Sequence, residues 1–495
     1  MSRGDFINGK FVAVTKPDGH IKDISPADLN DVIMTAPFAR VHIDEACEAA
    51  RKAFLPWARL SMDERKSYLM KLREQFEAHK EEMGKAIARD TGKPLWESIQ
   101  EAGNLANKID ITVNFSSKLI AEEHLPNALP GVEGVIRFKP RGVMAVVGPF
   151  NFPAHLPNGH IVPSLLSGNT VVFKPSEQTP YTGEIYASCF EKAGFPAGVF
   201  NMVQGDGESG RRLVAHETVD GILFTGSYEV GLRIKQETMT HYWKILALEM
   251  GGKNATMIWE DANMDKAVYE TLVGAFMSTG QRCACTSRIF VHEKIADEFT
   301  EKFYQAAKKL SIGHWSENPF MGPLINEQAV EKYLRFQEIA KRENCDNMMR
   351  GKVLEGLKYK GHYVTPSINL VQKFDPNSMY QKSEIFGPNV AVYRVSDADQ
   401  MLEMVNSTGF GLVAALFTQN RALYEKALLE CKVGLLNWNR TTNGASSRLP
   451  FGGMGKSGND RPSAHFAIQY CAVPVASLED PTPFDPTKTL PGMNL

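Results

Sequence analysis

The run Val143-Met144-Ala145-Val146-Val147 is the first of five short apolar segments that decide the fold of this chain. The other four are Val171–Phe173, Val199–Val203, Ile222–Phe224 and Ile245–Leu248. Each interval between these segments is long enough for one helix. Unbroken apolar strands that alternate with helices are typical of a parallel sheet covered on both faces. The series therefore predicts a doubly wound, Rossmann-type α/β unit that binds a nucleotide.

A second α/β region is predicted further along the chain. Its candidate strands are Ala255–Ile258, Arg288–Val291, Val390–Tyr393, Val413–Phe417 and Gly434–Asn437. One intervening helix has its apolar residues on one face, and these are Ile295, Phe299, Phe303, Ala307 and Leu310.

The part of the chain before the first apolar run is predicted to be helical. One apolar face consists of Ala46, Ala49, Ala50, Ala53, Phe54 and Trp57. Further helical patterns cover residues 61–90, and Thr91-Gly92-Lys93-Pro94 is a stop signal.

Composition limits the class of protein. The 495 residues include 55 Lys+Arg and 57 Asp+Glu, which gives a formal net charge of −2. This balance argues against nucleic acid or an acidic membrane surface as the main partner, because both select basic proteins. Seven cysteines are too few for a disulfide framework in a chain of this length. Since there is neither an apolar leader nor a long apolar run, we expect a soluble, cytoplasmic protein.

Two glycine-rich turns are candidate phosphate sites. Gly205–Gly210 matches G-x-G-x-x-G but follows the third predicted strand, so an ordinary strand-to-helix turn is favoured over a dinucleotide fingerprint. The second turn, after the fourth strand, offers Gly226, Ser227 and Gly231 at the start of a helix. It fits a pyrophosphate and a plain helix cap equally well.

Cys283, preceded by Arg282, is a candidate nucleophile. A reactive thiol needs a polar, partly exposed site, and Arg282 together with a helix N-terminus would raise its thiolate fraction. The alternative is a buried, inert thiol. Cys285 adds the alternative of a metal site, but there is no second Cys pair, and His155 and His160 do not share a helix face. We therefore expect no metal.

Glu249 is the candidate base. It ends a predicted strand and is followed by Gly251 and Gly252, so we expect the carboxylate to be exposed and sterically open. Such a group can act as a general base on a thiol or on water, although a plain salt bridge is the alternative. Together with Cys283 it forms a nucleophile and base pair, which indicates covalent acyl chemistry.

A set of ordered motifs extends over nearly the whole chain. The motifs are Pro149-Phe150-Asn151-Phe152-Pro153, Phe173-Lys174-Pro175-Ser176-Glu177, Phe224-Thr225-Gly226-Ser227, Leu248-Glu249-Met250-Gly251-Gly252-Lys253, Gly280-Gln281-Arg282-Cys283, Glu384-Ile385-Phe386-Gly387-Pro388 and Pro450-Phe451-Gly452-Gly453. They resemble those of the aldehyde dehydrogenase superfamily. The resemblance implies an aldehyde dehydrogenase-like α/β fold with three parts: an NAD-binding domain (residues 1–118 and 140–250), a catalytic domain (251–452), and a β-arm for oligomerisation with the tail (119–139 and 463–495).

The resemblance also implies catalytic roles. Cys283 would attack an aldehyde, whose hydride passes to a nicotinamide, and Glu249 would activate the water that hydrolyses the resulting thioester. Asn151 and the backbone N–H of Cys283 would hold the oxyanion.

NAD is the implied cofactor. Lys174 and Glu177 would bind the ribose hydroxyls of the adenosine, and the carboxylate of Glu177 would repel a 2′-phosphate. The remaining implied contacts, with the pyrophosphate and with the nicotinamide ribose and ring, are Gly226, Ser227, Gly231, Glu384 and Phe386. The G-x-G-x-x-G turn would then bind no phosphate.

The sequence departs from the family pattern at two positions. Phe150 stands where many members have Trp, which is a mild aromatic exchange. Ser278 stands where many have Asn, which leaves the main roles intact but would alter packing of the loop.

Three stretches resemble a subfamily of arginine catabolism whose semialdehyde substrate carries several carboxylates: His155–Pro163, Asn437–Asn439 and Gly458–Ala464. The candidate groups for these carboxylates are Arg440, Arg448, Arg461 and Asn158, and a solvated or structural role is an equal alternative for each. Another semialdehyde, acyl transfer to coenzyme A, or an inactive binding protein of the same fold also remain as alternatives.

The β-arm is expected in the stretches 119–138 and 466–478. Alternation of Ile468, Tyr470 and Ala472 predicts an edge strand that pairs with another subunit, so a homodimer or homotetramer is expected. The proline-rich tail from Asp480 onward is predicted to be extended.

Overall fold

The computed structural model describes residues 2–459, 463–487 and 489–493. Its strands are β1 Asp5–Ile7, β2 Lys10–Val12, β3 Gly19–Ile24, β4 Val32–Phe38, β5 Glu123–Leu129, β6 Val132–Pro140, β7 Val143–Val147, β8 Thr170–Lys174, β9 Phe200–Met202, β10 Gly221–Gly226, β11 Ile245–Met250, β12 Asn254–Ile258, β13 Thr286–His292, β14 Cys345–Met349, β15 Ser367–Val371, β16 Asn389–Val395, β17 Phe410–Gly411, β18 Val413–Phe417, β19 Leu435–Trp438, β20 Pro450–Phe451, β21 Met454–Gly455, β22 Ser463–Ala464 and β23 Ala472–Glu479.

The α-helices are α1 Val41–Ala58, α2 Met62–Ala78, α3 Lys80–Thr91, α4 Leu95–Asn114, α5 His155–Leu166, α6 Pro180–Ala193, α7 Gly207–Ala215, α8 Tyr228–Glu237, α9 Met264–Phe276, α10 Glu293–Ala307, α11 Glu327–Arg342, α12 Met379–Lys382, α13 Ala398–Asn406, α14 Arg421–Glu430 and α15 Ala467–Tyr470. Short 3₁₀ helices occupy Ser116–Ile120, Met277–Gly280 and Trp315–Glu317. Within the described residues, no helix is long and apolar enough to cross a membrane.

The first sheet has seven strands in the order β11-β10-β7-β8-β9-β1-β2. The parallel strands β7 to β11 are the five that the apolar runs predict. Alternate residues of these strands enter two separate apolar clusters, one on each face, so the sheet is buried on both sides. β1 and β2 add an antiparallel edge. Each has only three residues, too few to give a recognisable pattern.

The carboxyl ends of these parallel strands lie at one edge of the sheet. Val147 pairs with Lys174 on one side and with Phe224 on the other, and Thr225 pairs with Glu249. Ligands of open α/β sheets bind beyond the carboxyl ends of the strands. The strand register therefore brings separate motifs to one binding edge.

The second sheet also has seven strands, in the order β14-β15-β16-β13-β12-β18-β19. All five predicted strands are present, and β19 starts one residue later than expected. The sequence patterns missed β14 and β15. β15 mixes polar and apolar residues although it is largely buried. β14 is an edge strand that pairs antiparallel with it, and most of its residues are at least partly exposed.

A third sheet, ordered β23-β6-β5, forms an arm in which Ala472 pairs with Pro140 and Glu479 with Glu133. The predicted edge strand is partly wrong, because Ile468 and Tyr470 lie in the one-turn helix α15 and are buried. Their side chains belong to the apolar cluster beneath the first sheet. Burial in this cluster stabilises a helical turn, although the alternation of the residues along the chain predicted a strand. The strand itself begins only at Ala472.

The helical prediction for the N-terminal part holds from residue 41 onward. Ala46, Ala50 and Trp57 are buried on one face of α1. The stop signal is confirmed, because α3 ends at Gly92 with a φ of 72°. Lys93 then leads into α4, the longest helix near the site.

Candidate functional site

A cleft of about 1280 Å³ opens between the two large sheets, at the carboxyl ends of the strands of the first sheet. Nearly every site residue that the sequence singled out lines it. These are Asn151, Lys174, Glu177, Gly226, Ser227, Glu249, Cys283, Glu384 and Phe386. Gly231 lies behind the wall, where an added Cβ would be 2.4 Å from the Sδ atom of Met250. The fold therefore brings together motifs that are far apart in the chain.

Cys283 differs from the other cysteines in exposure. All seven are free thiols, and six are buried, whereas Cys283 is partly exposed in the cleft. Its backbone is fixed by Asn254, whose Nδ2 donates to the carbonyls of Cys283 at 2.7 Å and Cys285 at 2.9 Å. A nucleophile needs this combination of a fixed backbone and an accessible sulfur.

The expected activation of the thiol is found only in part, because the charge of Arg282 lowers the pKa of Cys283 but is outweighed by other effects, and no helix begins at Cys283. Burial raises the pKa of Cys283 above its usual range, and the charges of Glu249 and Glu384 raise it further. The segment around Cys283 is a turn, and the Nη2 atom of Arg282 is bound to Glu97 at 2.9 Å. The resting thiol is therefore neutral and must give its proton to a base before it can attack.

Asn151 lies in the loop that follows β7. Its Nδ2 donates to the carbonyl oxygen of Gln281 at 2.9 Å, so the amide faces the segment that carries Cys283. Gln281 is itself fixed, since its Oε1 accepts from the N–H of Ile325 at 2.9 Å. The arrangement places an amide donor beside the thiol loop, as an oxyanion site requires.

Glu249 lies near the end of β11 and borders the cleft, but the expected exposure is wrong, because the residue is fully buried. The following glycines make room for a second carboxylate. A Cβ on Gly251 would be 2.1 Å from the Oε2 atom of Glu384, and the N–H of Gly252 donates to the Oε1 atom of Glu384 at 2.8 Å. Burial raises the pKa of Glu384 to about 7.

The two glycine-rich turns differ in what caps their helices. Ser227 caps α8 with a neutral hydroxyl that accepts from the N–H of Val230 at 3.3 Å. Asp206 caps α7 with a carboxylate that accepts from the N–H of Ser209 at 2.9 Å. A negative cap at α7 opposes a phosphate, whereas the neutral cap at α8 leaves the positive end of the helix dipole available.

The remaining predicted cofactor residues extend along the same cleft. Lys174 is buried, and its Nζ lies 3.6 Å from the Oε2 atom of Glu177, whose side chain is half-exposed. At the opposite end, Phe386 has a φ of 61°, and its ring packs edge-on against Phe150 at 5.8 Å between centroids. The cleft thus extends from Lys174 and Glu177, beyond β8, to Phe386 and Glu384, and Glu384 lies against Gly251 just after β11.

Comparison with known proteins identifies the family. The family model described as "Aldehyde dehydrogenase family" matches residues 12–474. The chain belongs to the aldehyde dehydrogenase family. The predicted resemblance and fold are therefore confirmed.

Individual aldehyde dehydrogenases match over most of their length. The chain is 42% identical over 459 residues to the N-succinylglutamate 5-semialdehyde dehydrogenase of Salmonella schwarzengrund strain CVM19633, covering 91% of each chain. It is 39% identical to the protein of the same name from Chromobacterium violaceum, covering 99% of each. The solved 1-pyrroline-5-carboxylate dehydrogenase from Thermus with bound NAD superposes with a TM-score of 0.90 at 30% identity, covering 96% of this chain and 92% of that one. A nicotinamide cofactor follows from family and fold.

The structure describes three of the four candidate substrate-binding groups of this aldehyde dehydrogenase. Asn158 is structural, because its Nδ2 donates to the Leu105 carbonyl at 3.1 Å and its Oδ1 accepts from Tyr186 at 2.9 Å. The Arg448 guanidinium lies 4.5 Å from the ring centroid of Phe115. Arg440 is exposed, and Arg461 lies outside the described residues.

Sequence reasoning missed a group of buried charges beside the site. Lys93, Glu97 and Glu101 are each at most 4% exposed. The available signal was three charges at helical spacing, two of them on a helix face that also contains Ala102, Leu105 and Ile109.

Proposed function

We propose that this protein is an NAD-dependent dehydrogenase that oxidises N-succinylglutamate 5-semialdehyde to N-succinylglutamate by way of a thioester on Cys283. The observation that carries the chemistry is the position of Cys283, whose partly exposed thiol shares one cleft with Glu249 and Asn151. The two curated relatives named for this semialdehyde support the choice of substrate.

The first step is addition of the thiol to the aldehyde. Glu249 accepts the proton of Cys283, the sulfur forms a bond to the carbonyl carbon, and the carbonyl oxygen gains the negative charge of a hemithioacetal anion. Asn151 Nδ2 and the backbone N–H of Cys283 donate to that oxygen, and Asn151 leaves its present contact with Gln281 to do so. When bound, the nicotinamide supplies the acceptor for the hydride that leaves the carbon.

The second step is hydrolysis of the thioester. Glu249 first releases the proton of Cys283 to solvent and then removes a proton from water, whose oxygen attacks the acyl carbon. Cys283 leaves as a thiolate and takes that proton back from Glu249. Since Glu249 is fully buried, its charge interacts strongly with groups in the cleft. Glu249 thus acts as the base in both steps, first on the thiol and then on water.

The cofactor preference follows from the half-exposed carboxylate at the far end of the cleft. Glu177 and Lys174 bind the ribose hydroxyls, and the negative charge of Glu177 opposes the 2′-phosphate of NADP. The neutral cap of α8, with Gly226 and Ser227, receives the pyrophosphate. Glu384 and Phe386 hold the nicotinamide ribose and ring.

We also propose that the arm joins copies of this chain, as a homodimer or homotetramer. In the described residues β23 is an outer strand whose side chains alternate in exposure. An unpaired strand edge of this kind is a template for pairing with another chain.

A substrate panel tests the proposed function. The purified protein, NAD and a series of semialdehydes are mixed, and NADH and free acid are measured with and without coenzyme A. We expect the highest kcat/KM with N-succinylglutamate 5-semialdehyde and release of free acid without coenzyme A. A higher value with an uncharged aldehyde, or acid release that depends on coenzyme A, would contradict the proposal.

A further inference from the structure

Helix α4 carries two buried carboxylates on one face next to the site. Glu97 and Glu101 are one turn apart and each is 2% exposed. Like charges at this spacing repel each other, and burial strengthens the repulsion. Each carboxylate must therefore have its own cationic partner, and these partners lie on two different loops.

The first partner holds the loop that carries Asn151. Glu101 is paired with Lys93, and the Nζ atom of Lys93 also donates to the main-chain carbonyl of Asn151 at 2.9 Å. The other carboxylate oxygen of Glu101 accepts from the N–H groups of Ala154 at 3.2 Å and His155 at 3.1 Å. The Lys93–Glu101 pair therefore holds this loop at both of its ends, at Asn151 and at the start of α5.

The second partner holds the segment before Cys283. Glu97 accepts from the Nη2 atom of Arg282 at 2.9 Å and also from the Ser278 hydroxyl. The Nε atom of Arg282 donates to the Oγ atom of Ser278 at 2.7 Å. Ser278 has a φ of 54°, which a residue with a side chain rarely adopts, so these hydrogen bonds stabilise an unfavourable turn.

The ring of Phe152 lies near one cation from each of the two ion pairs. The Nζ atom of Lys93 lies 4.0 Å from the ring centroid of Phe152, and the guanidinium carbon of Arg282 lies 5.0 Å from it. Both cations therefore lie within the distance at which a ring attracts a positive charge. The charges of Arg282 and Lys93 outweigh the effect of burial and lower the pKa of Glu97, so this carboxylate stays ionised.

We propose that Lys93 and Glu101 are positioning residues for Asn151, and that Glu97 and Arg282 have the same role for the Cys283 segment. The inference rests on the roles proposed above for Asn151 and Cys283. A buried ion pair contributes little net stability, but removing one partner leaves an uncompensated charge and frees the loop it held. A shift of about 1 Å at a reacting group can cost about a hundredfold in rate.

A double-mutant cycle tests the proposal. The variants are Lys93→Met, Asn151→Ala and the double variant, and the readouts are the NADH burst with semialdehyde and the cofactor-free hydrolysis of p-nitrophenyl acetate. We expect Lys93→Met to slow both by about tenfold in the wild-type background. In the Asn151→Ala background it should slow them by less than about twofold, because its effect acts through Asn151. Lys93→Arg should restore most of the rate.

The matched control is Arg73→Met, which breaks another ion pair on α4, between the Nε atom of Arg73 and Asp110 at 2.8 Å. It should lower Tm without changing either rate. If Lys93→Met does not fold, Glu101→Gln replaces it in the same cycle. Equal rate losses in both backgrounds would overturn the proposal.

The two readouts separate this inference from the proposed function. Wild-type ester hydrolysis without any NADH formation would refute the proposed dehydrogenase activity, and the cycle would still be measured on the ester. Absence of both activities, or an Asn151→Ala variant with wild-type rates, would overturn the positioning role as well.

Discussion

The catalytic end of the cleft depends on side chains, whereas the cofactor end depends on backbone groups. At the catalytic end, side chains such as Cys283, Asn151 and Glu249 present the chemistry, and buried charges on α4 fix the loops that hold two of them. At the cofactor end, Gly226 and a helix N-terminus present backbone N–H groups, and side chains are absent where they would obstruct. Removing side chains should therefore damage the first end, and adding them should damage the second.

The largest effect is expected at the catalytic end, from Cys283→Ala. Loss of the nucleophile should reduce kcat for NADH formation by at least about 10³-fold. Cys285→Ala is the matched control, because Cys285 is buried only two residues away, and it should retain most activity. Comparable turnover in the Cys283→Ala variant would remove this residue from the mechanism.

The second largest effect on activity is expected from Glu249→Gln. It should slow thioester hydrolysis by about 10²–10⁴-fold, because no base remains to activate water. Addition of the thiol should be slowed less, since a solvent base can take that proton, so the NADH burst should persist above a slow steady state. A lost burst with unchanged deacylation would reverse the role assigned to Glu249.

The pH dependence of Cys283 alkylation, measured in the wild type and in Glu249→Gln, is a further test of the catalytic end. Burial and the charges of Glu249 and Glu384 raise the pKa of Cys283, so alkylation by iodoacetamide should keep rising above pH 8.5, where an ordinary thiol is half ionised. Removal of one negative charge lowers that pKa, and Glu249→Gln should therefore react faster at a given pH. A slower reaction would contradict the electrostatic account of the thiol.

At the cofactor end, adding a methyl group to glycine tests the contrast directly. A Cβ on Gly226 would lie 2.4 Å from the Phe224 ring, whereas a Cβ on Gly207 would meet no atom within 4 Å. Gly226→Ala should raise KM for NAD by about tenfold, equivalent to about 1.4 kcal/mol of lost binding. Gly207→Ala should change it by less than about twofold, and the reverse order would identify the G-x-G-x-x-G turn as the phosphate site.

The smallest effect concerns the carboxylate of Glu177 at the cofactor end. Glu177→Gln keeps the shape of the side chain but removes its repulsion of a 2′-phosphate, so kcat/KM with NADP should rise by about tenfold. Activity with NAD should fall, because a ribose contact is weakened. Unchanged NADP use would show that another group sets the cofactor preference.

The sequence predicted those features that local patterns specify. Ten of the strands between Val143 and Trp438 have apolar runs, and several site motifs follow strand ends, so most of the two large sheets and the residues of the cleft could be anticipated. The state of Cys283 could not, because its pKa depends on carboxylates distant in the chain. The same holds for Lys93, whose role is visible only from its contact with Asn151, and for Tyr470, whose burial overrides strand alternation.

The most direct test of the central claim is to trap the acyl group on the enzyme. Glu249→Gln is mixed with NAD and N-succinylglutamate 5-semialdehyde, quenched in acid, digested and analysed by mass spectrometry. The account predicts a thioester-linked N-succinylglutamyl group on the peptide that contains Cys283. The absence of any adduct after NADH has formed, or an adduct on a different residue, would contradict it.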